Sequence, residues 1–507
     1  MVRFMKQKNL KGARMPDESL IRSYGNWTIP TTRGVKGASQ KVTVVAIVLL
    51  FVALIMFVFQ AYASGVIVII PDLIYFTLAV TKDKHQISLL AKLQERTNWI
   101  MRIQSGSTTY ESGIIGKTYL GKCLLPGVMD NSDLYTFTDT QSQEFCVIDI
   151  KQQKSYATVI SVQPNGASLV DQEQINIWVA KHGAWLAQMS NESGLIGVQI
   201  TVDTAPISNQ QLVRDMDTSK GENVSEYGDN WGENVKVTYP GLGGYIKTFI
   251  TLTFEYPDKK NLNIREVANA LAIRIPQYCE TLKENGIGSA KPTSPEFLME
   301  FIRTAYDPEI APAFEEAKAN NQKIDQSWKD IGPVRTKTYW DYMEHDSGVS
   351  KTWMMTIAPT GNVLSNILWR LLAPNNKIAR KRVSLIYKTI DAGESAKIVA
   401  EDVVTTSFLA TNTKNHRVDA RREAAVKLTE RTAMEEAMGA GLVNFGVMVT
   451  VTGDCDFDKK GANFIVGSLA ASSRIYLRPV FGSQDSAFVQ NLPLGFMLNR
   501  WDQIKEG

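Results

Sequence analysis

Residues Val42 to Val80 form a run of 39 (80 − 42 + 1) whose only charged member is Asp72. Coiled as helix at ~1.5 Å per residue it reaches about 58 Å, twice the ~30 Å hydrocarbon core of a bilayer. Gln60, Ser64 and Gly65 notch it between Val42–Phe59 and Val66–Val80, so the chain is expected to cross, turn and return. Nine Lys/Arg stand against two acids in residues 1–41, and Lys82, Lys84, Lys92, Arg96 and Arg102 follow the run. Cations favour the cytoplasmic side, which places both flanks there and requires an even number of crossings. The run begins too late and is too long for the ~7–15-residue apolar region of a cleaved signal peptide. The expected location is the cell (plasma) membrane, multi-pass, with both termini and the large domain cytoplasmic. Asp72 beside Pro71 is the awkward detail. An acid within a span is functional by default; alternatively the second arm begins near Pro71 with Asp72 close to the interface, or a neighbouring subunit pairs it.

The remainder is ordinary globular material, 44% hydrophobic, 21% charged and 9% aromatic over the whole chain, enough for two or three domains. A net charge of +3 gives no compositional support to nucleic-acid binding, and the basic excess beside the apolar run suits anionic lipid. Cys123, Cys146, Cys279 and Cys455 are widely spaced, with neither CxxC spacing nor a companion histidine, and read as reduced thiols. Neither a metal nor a cofactor is expected.

The chain divides into a cytoplasmic arm (1–40), with Tyr24 and Trp27 as interface anchors, a transmembrane hairpin (41–81), a helical connector (82–117), and two cytoplasmic α+β domains (118–330 and 331–507). Strands are expected over Val147–Val162, Leu195–Val202, Tyr245–Tyr256, Ser350–Ile357, Arg382–Lys388, Val443–Val451 and Arg474–Val480. Helices are expected over Ile87–Ile103, Leu169–Ala187, Ser208–Thr218, Ile264–Leu282, Val363–Leu372, Gly393–Met438 and Asn463–Ala471, with a polar loop over Ser219–Asn234 and a last helical turn over Asp485–Asn491. Strand-helix-strand twice over is the split βαβ arrangement, so each half is expected to be ferredoxin-like.

Three strings invite a chemical reading. Gly113-Ile-Ile-Gly116-Lys117-Thr118 ends like a phosphate loop, but a P-loop needs glycine where Glu111 stands, and no buried strand precedes it. His345-Asp346-Ser347 holds the residue types of a catalytic triad. Adjacent residues cannot assemble one, so the string reads as a polar start of a strand whose Asp and Ser satisfy turn N–H groups. Arg380-Lys381-Arg382 precedes the apolar Val383–Tyr387. A solvated strand end explains it, and so does docking of an acidic partner surface; three adjacent cations resist burial unless paired, so at least two are expected to face outward.

Several strings carry a resemblance as a set: Tyr24-Gly-Asn-Trp27, Ser168-Leu-Val-Asp-Gln-Glu-Gln174 with Trp178 and Trp185, His345-Asp-Ser-Gly-Val-Ser-Lys-Thr-Trp353, Leu371-Leu-Ala-Pro374 running into Ala379-Arg-Lys-Arg-Val383, Gly439-Ala-Gly-Leu442 and Leu477-Arg-Pro-Val-Phe-Gly-Ser-Gln484. From about Tyr24 to Phe496 the chain resembles the membrane protein family encoded in actinobacterial conjugation loci beside a type IV secretion ATPase. That family is similar to a two-span PrgI-type hairpin joined to the N-terminal, non-ATPase domain of the secretion ATPase. The Pro71-Asp72 pair departs from typical members. The resemblance implies a non-catalytic membrane subunit of a conjugative type IV secretion system, one that anchors and docks a separate ATPase among other channel subunits within an oligomeric complex, with no direct contact to nucleic acid. Candidate interface residues are Arg380, Lys381, Arg382, His345 and Asp346. A type VII secretion core component is the alternative within transport, and a membrane-tethered hydrolase using His345 and Ser347 is the alternative of another class.

Overall fold

The computed structural model describes residues 23–24, 40–116, 121–166, 170–206, 216, 225–238, 244–257, 262–320, 322, 324–359, 363–375, 377–390, 392–411, 420–439 and 442–497. After a two-residue strand β1 (Ser23–Tyr24), helices α1 (Gln40–Val58) and α2 (Tyr62–Val80) pack side by side across a turn in which Gln60 takes a φ of 60°. Their shared seam is built of small or polar residues: Thr43, Ala46 and Ala53 on α1, and Gly65, Asp72 and Ala79, seven apart, on α2. A Cβ on Gly65 would stand 2.9 Å from the Phe57 ring, so any larger residue there would require that ring to shift. The outward faces are apolar and exposed, among them Phe51, Leu54, Ile67, Ile70 and Leu73. Helix α2 is long and apolar enough to cross a membrane, whereas the apolar part of α1, Val42–Val58, is shorter. Helix α2 runs unbroken through Pro71. The expected start of the second arm near Pro71 is thereby corrected: Asp72 lies near the middle of the helix.

A short loop closed by a Lys82–Ser88 bridge leads into α3 (Leu89–Gln104), capped by Ser88 Oγ, which accepts from Ala91 N at 3.2 Å. The body follows: β2 (Thr109–Glu111), β3 (Ser132–Thr138), β4 (Glu144–Ile150), β5 (Ser155–Pro164), α4 (Gln172–Ser190), β6 (Leu195–Pro206), α5 (Glu226–Thr238), β7 (Gly244–Glu255), α6 (Ile264–Glu284), β8 (Ile287–Pro292), α7 (Pro295–Tyr306) and α8 (Ala311–Ala319). Then come β9 (Arg335–Thr338), β10 (Met343–His345), β11 (Gly348–Ile357), β12 (Val363–Leu364), α9 (Trp369–Leu372), β13 (Arg380–Thr389), α10 (Ala392–Thr411), α11 (Ala420–Ala437), β14 (Val443–Gly453), α12 (Lys459–Ser472), β15 (Tyr476–Pro479) and α13 (Gln484–Gln490).

The fold is mixed α+β around a 13-stranded antiparallel sheet of order β2-β9-β10-β11-β14-β13-β6-β7-β5-β4-β3, with β15 beside β11 and β8 beside β5. Within it the strands β8-β5-β7-β6 and β15-β11-β14-β13 follow the same internal order, and pairing of β6 with β13, from Gly197–Lys388 to Thr204–Lys381, fuses the two expected domains into one sheet. Alternation along each strand sends side chains to opposite faces. One face carries Val147, Ile160, Val198, Ile250, Val383 and Val449 beneath α4, α6 and α12. The other carries Cys146, Ile148, Val159 and Phe249 beneath α7 and α13.

A strap, residues 484–497, crosses this second face from β11 to β7. Gln484 bonds both backbone groups of Thr352 on β11. Asn491 Nδ2 donates to Thr450 Oγ1 on β14 and to the Arg382 carbonyl on β13. Gln199 Nε2 on β6 donates to the carbonyls of Gln490 and Leu492, and Thr253 Oγ1 on β7 donates to that of Gly495. Met497 is held by Gln153 in the β4–β5 turn.

Several boundaries differ from expectation. Val147–Val162 is two strands with a tight turn at Lys154, φ 51°. The loop expected over Ser219–Asn234 contains α5, whose start is fixed by Ser225 Oγ accepting from Gly228 N and by acids in its first turn. Val363–Leu372 is not a helix: Val363 and Leu364 pair with Tyr24 and Ser23, and only the single turn α9 follows before Pro374. Gly393–Met438 is two helices. The helix expected over Ser208–Thr218 lies, apart from residue 216, outside the described residues.

Candidate functional site

Strand β13 begins Arg380-Lys381-Arg382, and its central place in the sheet decides where those cations go. Arg380 and Arg382 share the strap face; Lys381 points to the other. All three are buried, at 6%, 1% and 2% exposure. The expectation that at least two face solvent is therefore corrected. The pairing that burial demands is supplied by Asp203 on β6, which is fully buried and lies directly opposite Arg382 in the register. Asp203 Oδ2 accepts from Arg380 Nε and Nη2, both at 3.2 Å, and Oδ1 from Arg382 Nε at 3.1 Å. Arg382 also spreads its guanidinium over the Phe301 and Phe488 rings, 5.2 and 5.6 Å from their centroids. Burial pulls its pKa down to about 10 against the pull of Asp203, so it remains charged at neutral pH. Lys381 Nζ donates to the Ala373 carbonyl at 2.5 Å, and burial lowers its pKa to about 8.

The end of α7 brings the other predicted cluster to the same place. Its unpaired carbonyls need donors: Thr304 O accepts from Arg380 Nη1 at 2.8 Å, and Tyr306 O from His345 Nδ1 at 2.5 Å. With Nδ1 carrying the proton, His345 Nε2 accepts from Ser350 Oγ at 2.7 Å, which in turn meets Thr452 Oγ1 at 2.7 Å. Burial holds the imidazole neutral, its pKa lowered to about 4. Asp346 and Ser347 form the two-residue turn between β10 and β11, as a turn reading of the string predicts. Asp346, φ 32°, accepts from Val334 N and Arg335 N at 2.8 and 3.0 Å and pairs with Arg303 at 3.1 Å. Ser347 Oγ donates to Asp307 and accepts from Glu309 N. His345 thus engages Ser350, and Ser347 engages Asp307.

Beside this knot a cleft of about 280 Å³ opens between the halves, with Arg380 at its base and Tyr245, Glu309, Glu315, Ser347 and Asp454 around it. Burial raises the Tyr245 pKa, opposed by Arg380. Of the five candidate interface residues, Arg380, Arg382, His345 and Asp346 converge around the end of α7, their polar groups spent on Asp203, Arg303, Ser350 and backbone groups, while Lys381 lies on the opposite face of the sheet and bonds the Ala373 carbonyl.

The remaining candidates lie apart. Asp72 is 8% exposed in the α1–α2 seam, and its Oδ1 has no hydrogen-bond partner among the described residues. Pro71 is inside α2. The Tyr24 backbone pairs with Val363 in a two-stranded sheet, while Trp27 lies outside the described residues. Gly113–Ile115 is a single 3-10 turn and Lys117 is outside the described residues. Sequence reasoning missed Asp203. The usable signal was an acid directly ending the apolar strand Leu195–Val202, matched to a strand that opens with cations.

Comparison of the sequence with protein-family models and with curated proteins finds no match.

Proposed function

We propose that the chain is a membrane-anchored, non-catalytic subunit of a conjugative type IV secretion apparatus, in which α1 and α2 form a two-span hairpin and the sheet body is a cytoplasmic platform for a separate secretion ATPase. The string resemblance supplies the system. One structural observation carries the topology: β1, before the apolar helices, and α3, after them, are both fastened to the same body. Ser23 and Tyr24 pair with Leu364 and Val363. On the far side of the helices, Glu95 pairs with Arg478 at 2.7 Å, Arg102 with Asp485 at 2.7 Å, and Trp99 with Trp340 at 5.9 Å. Two segments held by one water-facing body lie on one side of any membrane, which supports an even number of crossings. The repeated strand order also supports reading each half as ferredoxin-like, the two joined edge to edge through β6 and β13.

The topology is tested with cysteines at Ser39 and Lys84, using native, exposed Cys455 as an internal reference on the body. All three are expected to be shielded from an impermeant thiol reagent in intact cells and to react after permeabilisation; external labelling of position 39 or 84 alone overturns the hairpin. The partner is tested by purification from membranes of the natural host and mass spectrometry of the bound chains. Recovery of a secretion ATPase is expected, and its consistent absence under mild solubilisation removes the docking role.

A further inference from the structure

Helix α3 has a face that no described residue covers. Glu95, Trp99 and Arg102 grip the body. Leu89, Leu93, Arg96, Ile100 and Ile103 repeat at alternating spacings of four and three residues, which gathers them into one stripe on a different side of the helix. Leu93, Ile100 and Ile103 are each 52% exposed and Leu89 39%. Gln94, Thr97 and Asn98 lie on the remaining side of the helix together with Met101, itself 58% exposed. Four large exposed aliphatic side chains in line on a 16-residue helix are more than scattered surface apolarity.

Where the helix starts identifies what covers them. Thr81 N still donates to Thr77 O of α2, and Leu89 N donates back to Thr81 O at 3.0 Å, so α3 begins one hydrogen bond from the end of the apolar α2. Lys92 and Asp83, 2.7 Å apart, brace the corner, and His85 Nδ1 meets Thr356 Oγ1 of β11 at 3.2 Å. The stripe is therefore continuous with the surface that α2 presents to lipid, and the cations Lys84, ahead of it, and Arg96, within it, are exposed.

We infer that α3 is an interfacial helix: it lies in the headgroup region of an anionic bilayer, with Leu89, Leu93, Ile100 and Ile103 turned into the acyl boundary, between the membrane and the sheet body. This rests on the membrane reading above. An amphipathic helix of this kind sinks ~5–10 Å into the interface, and basic residues on its flank add attraction to anionic lipid. The arrangement fixes the body's orientation, with the β11–β15 end held against the bilayer.

The test uses the full chain in liposomes of phosphatidylcholine and phosphatidylglycerol, with Cys123→Ser and Cys455→Ser removing the accessible thiols. A nitroxide is placed in turn through Leu93→Cys, Ile100→Cys, Asn98→Cys and Ile70→Cys, and its collision rates with oxygen and with a water-soluble nickel chelate are measured, circular dichroism confirming an unchanged fold. Positions 93 and 100 are expected to favour oxygen and to sit at similar depth, while position 98 favours the chelate. An upright α3 places the two stripe sites ~10 Å apart along the membrane normal, so position 93 in lipid with position 100 in water overturns the proposal. Dipolar broadening between labels at 93 or 100 of two molecules overturns it in favour of a second copy. Position 70, on α2, separates the two levels: if it too is in water, the anchoring itself has failed; if it is in lipid while 93 and 100 are aqueous, only the interfacial role of α3 has.

Discussion

Arg382 faces Asp203 across the β13–β6 pairing, and its Nε donates to the carboxylate at 3.1 Å with neither side chain reaching water. Arg380 binds the other oxygen of the same carboxylate. One anion from the first half thus holds two cations from the second, at the line where the halves meet. Among the described residues Arg382 Nη1 has no hydrogen-bond partner.

Removing the anion is therefore expected to cost more than removing either cation. Asp203→Ala leaves two buried guanidinium groups without a counter-charge, and stability should fall by about 3–5 kcal/mol. Charge reversal at Arg380 and Arg382 should likewise abolish folding. Thermal unfolding of the solubilised protein checks both; reversal variants that melt like the parent would return the cations to a surface role.

His345 gives a defined pH response. Its folded pKa, about 4, lies below the ~6.5 of an unfolded histidine. The unfolded state takes the proton more readily, so this contribution is fully present above pH ~6.5 and is lost as the pH falls toward 4, by ~3 kcal/mol in all. Urea titrations at pH 7.5 and 5 should show a loss in the parent that shrinks in His345→Gln. Equal losses in the two proteins would assign the pH dependence to other groups.

Asp72 should be dispensable for anchoring. Replacement by alanine suits a seam already built from Ala46, Ala53, Gly65 and Ala79, and it removes ~2.5–3.5 kcal/mol of insertion cost for an acid at mid-helix. Carbonate-resistant recovery from membranes is expected to equal or exceed that of the parent. A drop would show that the carboxylate is held by another subunit.

The strap should act on the whole sheet. Asn491→Ala removes bonds to Thr450 and to the Arg382 carbonyl in a fully buried position, a loss of about 1–3 kcal/mol. Hydrogen exchange should quicken on both β13 and β7, in different halves. Quickening confined to the strap itself would mean that it lies on a sheet that is stable without it.

The long apolar elements were legible. The run of Val42–Val80 announces its helices by composition alone, and strands β7, β11, β13 and β14 announce themselves by dense Val, Ile, Met and Thr. The outer strands β2, β9 and β10, three or four residues each and dominated by Thr and charged residues, carry no such pattern and take their structure from pairing with β11 and its neighbours. Arg380 to Arg382 misled for a related reason. Charge is an indicator of exposure only when no partner is available, and theirs lies 177 residues earlier, beyond any local window. The turn itself was legible in the His345 string, but the partners of its side chains were not: Asp346 accepts from Val334 N and Arg335 N, and Ser347 engages Asp307 and Glu309 N, all beyond a local window.

The pairing of β6 with β13 also sets a schedule for synthesis. Strand β13, which covers the free edge of β6, is not complete until Thr389 has been made, 186 residues (389 − 203) after Asp203. At ~5–20 residues per second that interval is roughly 9 to 37 s, during which β6 is an open edge able to recruit another chain. An inward-pointing charge is one of the devices by which edge strands discourage such pairing. Before Arg380 and Arg382 arrive, Asp203 is that charge, and the residue that later joins the halves first keeps a nascent one from joining the wrong neighbour.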